Sequence, residues 1–134
     1  MASSGVISPG VIIGSNRALQ SAQVEVATGM VAATVNTPLA VQLNGVAGRT
    51  TYLTSVTFNL GQGTAVSLPC TITGLLSGTW NLFPSMLVAE EVLIPLTFPS
   101  PIPASGINVA IIANIPASGA TGGAISIAMT GFTI

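Results

Sequence analysis

The side chains that usually carry acid–base chemistry are almost absent from this sequence. It contains no His, Asp or Lys, and its carboxylate side chains are Glu25, Glu90 and Glu91. Glu90 and Glu91 are adjacent, so in a strand they would point to opposite faces and could not flank one scissile bond. We therefore interpret them as a solvated turn before the next strand. The sequence predicts no pair of catalytic carboxylates.

Nucleophiles and metal ligands are equally scarce. Cys70 has no His to activate it, and in a strand it shares a face with Val66, Leu68 and Ile72, which predicts a core position. One Cys, three Glu and no His do not supply a zinc or calcium site. The Gly-rich stretches "GQGT" and "GATGGA" lack the Lys-Ser/Thr of a phosphate-binding loop. We expect no enzyme activity and no cofactor.

Trp80 and the two arginines remain as candidates for binding. Trp80 could stack on a sugar ring, but a single Trp with one Tyr favours packing in the core or in an interface over a lectin role. In a chain with so few charged side chains, we expect Arg17 and Arg49 each to have an ion-pair partner, such as Glu25, Glu90 or a neighbouring subunit. An ion pair between subunits is the resulting hypothesis.

The charge content is the most unusual property of the chain. Asp, Glu, Lys and Arg make up 4% of the 134 residues and the net charge is −1, where about 25% charged residues and a net charge of roughly 2 to 8 are usual. Residues 96–134 contain no ionisable side chain. Because 49% of the residues are hydrophobic, disorder does not explain the deficit. We expect other protein to cover this surface.

The same composition argues against two other partners. Two Arg and no Lys cannot neutralise a phosphate backbone, so nucleic acid is not expected as a direct ligand. No run reaches the roughly 18 apolar residues of a membrane helix, and the first 16 residues lack the basic region of a signal peptide. The expected partners are therefore proteins.

Apolar residues recur with a period of two through most of the chain, which predicts strands. "QVEVA" alternates strictly. "LAVQL" ends at Asn44-Gly45, a dipeptide typical of hairpins. "TYLTSVTFN" predicts one face made of Tyr52, Thr54, Val56 and Phe58, with Leu53 breaking the pattern. Further strands are predicted at 80–82, 92–98, 107–115 and 124–134.

Proline and glycine predict where these strands end. "IPASG" occurs at 102–106 and again at 115–119, and we interpret both copies as turns that join strand to strand. Pro69, which cannot donate a ladder hydrogen bond, predicts an edge strand or a bulge.

Together these signals predict an all-β fold. Roughly seven to nine short strands, each with one apolar face, favour an antiparallel β-sandwich that is jelly-roll-like. Residues 17–134 would form this single domain. Residues 1–16 would form an extended N-terminal arm, in which Val11, Ile12 and Ile13 supply apolar contacts.

Three segments resemble small virion-associated β-sandwich proteins of tailed phages: "GRTTYLTSVTFNLGQG", "CTITGLLSGTWNL" and the stretch from "IPLTFPSPIPASGINVAIIANI" to the C terminus. The similarity covers about residues 46–134 and consists of turn and packing patterns, including Gly131-Phe132. The resemblance implies a capsid decoration, or cement, protein. Such a protein trimerises on the outside of the head and holds major capsid subunits together.

The resemblance makes the capsid surface of a virion the expected location, with the major capsid protein and other copies of this chain as partners. The possible assembly contacts are the arm residues Val11, Ile12 and Ile13, together with Arg17, Arg49, Glu90 and Glu91. Two alternatives stay open. One is another virion or filament subunit, such as a minor capsid, tail or fibre protein or a subunit completed by a donated strand. The other is a carbohydrate-binding module around Trp80.

Overall fold

The computed structural model describes residues 23–32, 37–61, 69–82, 92–117 and 124–134. Within these ranges the regular structure consists of strands, as expected for alternating sequences. The eight strands are β1 (Gln23–Val31), β2 (Leu39–Leu43), β3 (Thr50–Leu60), β4 (Cys70–Thr73), β5 (Trp80–Leu82), β6 (Val92–Ile107), β7 (Ile111–Ile115) and β8 (Ile125–Thr133).

The strands form two antiparallel sheets of four. The first sheet has the order β1-β8-β3-β6 and the second has the order β2-β7-β4-β5. Strands at equal distances from the two ends of the series pair with each other: β1 with β8, β2 with β7, β3 with β6, and β4 with β5. This is the order of a hairpin rolled into two sheets, the jelly roll. The predicted β-sandwich is confirmed.

The core lies between the sheets and is built from the inward positions of both. On β2, β7 and β8 every second residue is buried, as the period of two predicts. Phe58 lies at the centre, fully buried on β3 and paired in register with Ile94 and Ile127. The half-buried residues Val92, Ile94, Leu96 and Phe98 complete the core from β6, confirming their shared face.

A bulge in β3 changes which of its residues share a face, compared with the prediction from the sequence. Leu53 pairs with Gly131 and Ser55 with Thr130, so Thr54 is the additional residue. The bulge shifts the alternation by one position. Thr51 and Leu53 are therefore buried on the same side as Val56 and Phe58, whereas Tyr52 and Thr54 lie on the other side. The prediction that Tyr52 and Thr54 share the face of Val56 and Phe58 is wrong.

Glycine is required opposite this bulge. A Cβ atom on Gly131 would overlap the carbonyl oxygen of Tyr52 and come within 2.6 Å of Leu43 Cδ1. Only a residue without a side chain lets β3 and β8 approach so closely here.

The first "IPASG" copy is not a turn. Residues 102–106 lie within β6, where Ile102 and Pro103 pair with Leu53 and Tyr52. A turn follows instead at Asn108, which has a φ of 61°. β7 starts at Ile111, in the other sheet, rather than at residue 107. Proline is tolerated in β6 because this strand lies at the edge of the first sheet. In the second copy, Ile115 does end a strand.

Two other local predictions, a hairpin at Asn44-Gly45 and an edge strand at Pro69, are also wrong. Asn44-Gly45 does not form a hairpin, because β2 belongs to the second sheet and β3 to the first. The segment between them crosses from one sheet to the other. Pro69 lies just before β4, which is an interior strand between β7 and β5 and not an edge.

One buried hydroxyl offers a test of the core. Thr133 is fully buried, and no described residue forms a hydrogen bond with its Oγ1. Its register partner Thr51 is equally buried, but Thr51 Oγ1 donates to the carbonyl oxygen of Asn44 at 3.3 Å. An unsatisfied buried hydroxyl costs about 1–3 kcal/mol. We therefore expect Thr133→Val to raise the free energy of unfolding by about 1 kcal/mol, measured by urea denaturation.

Thr51→Val is the matched control. It removes a hydrogen bond that is made, so it should lower the free energy of unfolding by about 1 kcal/mol. Equal effects of the two substitutions would contradict this reading of the core.

Candidate assembly surface

Of the assembly residues predicted from the sequence, the structure describes Arg49. The others lie outside the described residues: Val11, Ile12, Ile13, Arg17, Glu90 and Glu91. The same holds for the arm at residues 1–16 and for Val66 and Leu68. Their predicted roles stay predictions.

Arg49 lies at the end of the segment that joins the two sheets. Its main chain is fixed there, since the carbonyl oxygen accepts a hydrogen bond from the Asn108 amide at 2.8 Å. The side chain is partly buried, and Nη1 has no hydrogen-bond partner among the described residues. A buried guanidinium nitrogen without an acceptor is costly. An acceptor on another subunit would remove this cost, so the intersubunit ion pair stays a hypothesis.

Trp80 is engaged in packing. It is half-buried on β5 and meets the Phe98 ring of β6 edge-on, with 5.3 Å between ring centroids and an interplanar angle of 70°. Its indole Nε1 donates to Ser77 Oγ at 3.0 Å. Since β5 and β6 are the edge strands of different sheets, this contact closes one side of the sandwich. Trp80 therefore has the structural role that the sequence favoured over sugar binding.

Cys70 is a core residue, as predicted. It is fully buried, and burial raises the pKa of its thiol from 9.0 to about 11. We expect a thiol reagent at pH 8 to leave Cys70 unmodified in the folded protein and to modify it completely in denaturant. Because the folded chain holds this proton more tightly, the free energy of unfolding should fall as the pH rises from about 9 to 11. Rapid modification of the native protein would contradict this placement.

Two specific features are absent from the part of the chain that the structure describes: a group of metal ligands and a membrane-spanning helix. These residues include no group of three or more His, Cys, Asp or Glu that could hold a metal ion. Nor do they include a helix long and apolar enough to cross a bilayer.

The most distinctive surface is the outer face of the first sheet. The strand registers arrange its outward residues in four rows of four, each row crossing β1, β8, β3 and β6. Not one of the sixteen is Asp, Glu, Lys, Arg or His. The rows are Val24–Phe132–Tyr52–Pro103, Val26–Thr130–Ser55–Thr97, Thr28–Ala128–Thr57–Pro95 and Met30–Ser126–Asn59–Leu93.

This face is also rich in exposed apolar side chains. Val24 is 83% exposed, Val26 67%, Met30 72% and Leu93 62%. The Tyr52 and Phe132 rings stack on it with 5.1 Å between centroids. An exposed surface that combines such side chains with the absence of charge is typical of a site that contacts another protein.

The outer face of the first sheet carries a depression. Small side chains at Ala128 and Ser126 form the floor of a depression of about 420 Å³, and Met30 and Leu93 stand at its rims. Thr28, Thr57 and Asn59 line it with hydroxyl and amide groups. The depression can accept uncharged side chains of a partner without exposing them to a fixed charge.

The outer face of the second sheet is different. Its registered outward residues are uncharged too, but they are mainly small or polar, with Ile112 as the large apolar member, half-buried: Ala40–Asn114–Thr71–Asn81 and Gln42–Ile112–Thr73. The two described residues that carry a charged side chain, Glu25 and Arg49, belong to neither set. The first sheet therefore offers the stronger protein-binding face.

The alternation of apolar and polar residues in the sequence did not predict the outer face of the first sheet. In "QVEVA" the usual expectation would bury the valines and expose the glutamate, but Val24 and Val26 point outward while Glu25 alternates with them on the half-buried side. The sequence feature that did indicate an uncharged surface is the absence of charged residues from 96 to 134. This stretch supplies β7, β8 and most of β6.

Comparison with known proteins supplies no family. No family model matches the chain, and no curated protein matches it.

The solved structures that match the chain include two with low TM-scores. One is the virus-like particle of the extra small virus of the giant freshwater prawn Macrobrachium rosenbergii, with 8% identity and a TM-score of 0.41 over 99% of this chain and 92% of that chain. The other is the family 11 carbohydrate-binding module of the Clostridium thermocellum cellulase Lic26A-Cel5E, with 13% identity and a TM-score of 0.30 over 81% and 84% of the two chains. At these scores neither likeness transfers a function to this chain.

Proposed function

We propose that this protein is a structural, non-enzymatic subunit of a virion. More specifically, it is a capsid decoration (cement) protein of a tailed phage that docks on the major capsid protein from outside the head. The observation that supports this proposal is the charge-free, partly apolar outer face of the first sheet.

The physics of this face suits permanent contact with protein. Burial of its valine, methionine and leucine side chains contributes about 25 cal/mol per Å² of apolar area. Hydroxyl and amide groups keep the face wettable before docking, and no ion has to be stripped of water when the contact forms. Association through such a face should depend weakly on ionic strength.

The proposed role is mechanical. A subunit that contacts two neighbouring capsid subunits resists their separation, and many copies on one lattice add avidity to a weak single contact. Self-association is part of the proposal, and the resemblance to decoration proteins implies a trimer. The arm at residues 1–16 would add apolar contacts with the shell.

Binding to isolated heads tests the proposal. Phage heads that lack the protein are mixed with purified full-length chain and sedimented across a salt series from about 50 mM to 1 M. We expect saturable binding with an affinity that changes less than about threefold over this range. Absence of binding, or binding that salt abolishes, would contradict the proposal.

A further inference from the structure

The outer edge of β1 is the most open strand edge in the described fold. β1 has nine residues and lies at one end of the first sheet, where it pairs with β8 on one side and with no described strand on the other. It contains no Pro and no Lys, the residues that commonly protect an edge. Its unpaired backbone amides and carbonyls can therefore accept another strand.

The other edges are poor partners. β6, at the opposite end of the first sheet, carries Pro95, Pro99, Pro101 and Pro103, which have no amide hydrogen to donate. The edge strands of the second sheet are short, with five residues in β2 and three in β5. A head-to-tail contact from β1 to β6 of a second copy would therefore lose ladder hydrogen bonds. Among the edge strands that the structure describes, only another β1 offers a long edge of the same quality.

We propose that two copies of this chain pair antiparallel through β1, with the two-fold axis at Ala27. This register is the one that pairs all nine residues of the strand. It places Val24 opposite Met30 of the second copy and Val26 opposite Thr28. The first sheets of the two copies then form one continuous sheet across the axis.

The side chains of β1 are self-complementary in this register. On the outer face, the exposed side chains Val24, Val26 and Met30 gain cross-strand contacts, which stabilise antiparallel pairs. On the other face Glu25 lies opposite Gly29, so the two like charges do not meet. The charge-free outer face continues without interruption from one copy to the next. The pairing rests on β1 alone and does not depend on the virion role. The open edge of β1 favours a two-fold dimer in solution, in place of the trimer that the resemblance to decoration proteins implies.

Charged substitutions at two positions that face each other across the axis test the pairing in solution, without any phage head. The full-length chain is studied by sedimentation, and wild type should form a concentration-dependent dimer. Val26→Lys together with Thr28→Lys places lysines opposite each other in both symmetric halves, so we expect the dimer to weaken at least about tenfold. Val26→Glu together with Thr28→Glu should weaken the dimer to a similar extent, because glutamates then face each other. An equimolar mixture of the two variants should dimerise again, because each Lys then faces a Glu.

The matched control changes the other margin of the same face. Leu93→Lys together with Thr97→Lys adds the same charge to exposed positions of β6 and should leave the dimer intact. Amide hydrogen exchange gives a second readout: the β1 amides that point away from β8 should gain protection as the protein concentration rises.

Several outcomes overturn the pairing. These are a monomer or a trimer of wild type, an equal effect of the control, or a mixture that fails to dimerise. Protection of the outward-pointing β1 amides, those not bonded to β8, at every concentration would show that the chain covers its own edge. Because no heads are present, failure here leaves the head-binding result unchanged, and the reverse also holds.

Discussion

Ala128→Lys should strongly weaken binding to phage heads while the protein stays folded. Ala128 lies on β8 at the floor of the depression in the outer face of the first sheet. A lysine there would have to bury an unpaired ammonium group against the shell, which costs several kcal/mol. Since about 1.4 kcal/mol changes an affinity tenfold, we expect binding to weaken at least about a hundredfold in the sedimentation assay.

Ala40→Lys is the control for this experiment. Ala40 is an exposed alanine on β2 and points outward from the second sheet, so the change in charge and size is identical. Binding should stay within about twofold of wild type. Thermal unfolding of both variants confirms that the fold is retained. If both lysines weaken binding equally, or neither does, the first sheet is not the docking face.

Phe58→Ala should remove a large part of the stability of the fold. Phe58 is fully buried and is paired in register with Ile94 and Ile127, at the centre of the inner face of the first sheet. Truncation of a buried Phe to Ala costs about 3–5 kcal/mol, against a total stability of about 5–15 kcal/mol for a typical domain. Urea unfolding followed by the fluorescence of Trp80 measures the change.

Asn59→Ala provides the comparison one residue further along β3. Asn59 points to the outer face and is half-buried, so the substitution removes surface contacts only. We expect a loss below about 1 kcal/mol. A similar loss for both variants would mean that the inward and outward sides of β3 are assigned wrongly.

The fold class could be predicted because the alternation is nearly complete. Leu39, Val41 and Leu43, and likewise Ile125, Ile127 and Met129, are buried as their spacing indicates. Each strand carries this signal locally, through the period of two. A sandwich follows from the need to bury one face of every strand, without knowledge of their order.

The errors arose where tertiary contacts override local rules. "IPASG" at 102–106 reads as a turn, yet an edge strand tolerates proline, and β6 continues through it because Ile102 and Pro103 pair with β3. Asn44-Gly45 is typical of hairpins, but it connects two sheets in this fold. The bulge at Thr54 depends on a close approach of Gly131 that no local pattern reveals.

The sequence predicted that an uncharged, protein-binding surface exists, but not where on the fold it lies. The scarcity of ions predicts that protein covers part of this molecule. Which face is covered depends on the registers of four strands that are distant in sequence, such as β1 with β8 and β3 with β6. Only these pairings show that Val24, Val26, Met30 and Leu93 share one uncharged face.

Cryo-electron microscopy of the intact phage particle tests the central claim most directly. We expect many copies of the sandwich on the outside of the head, with the outer face of the first sheet, including Ala128 and Ser126, turned toward the major capsid protein. Mass spectrometry of the same purified particles should detect this chain in comparable abundance. Particles without this chain, or a chain that contacts the shell through the second sheet alone, would contradict the proposed docking.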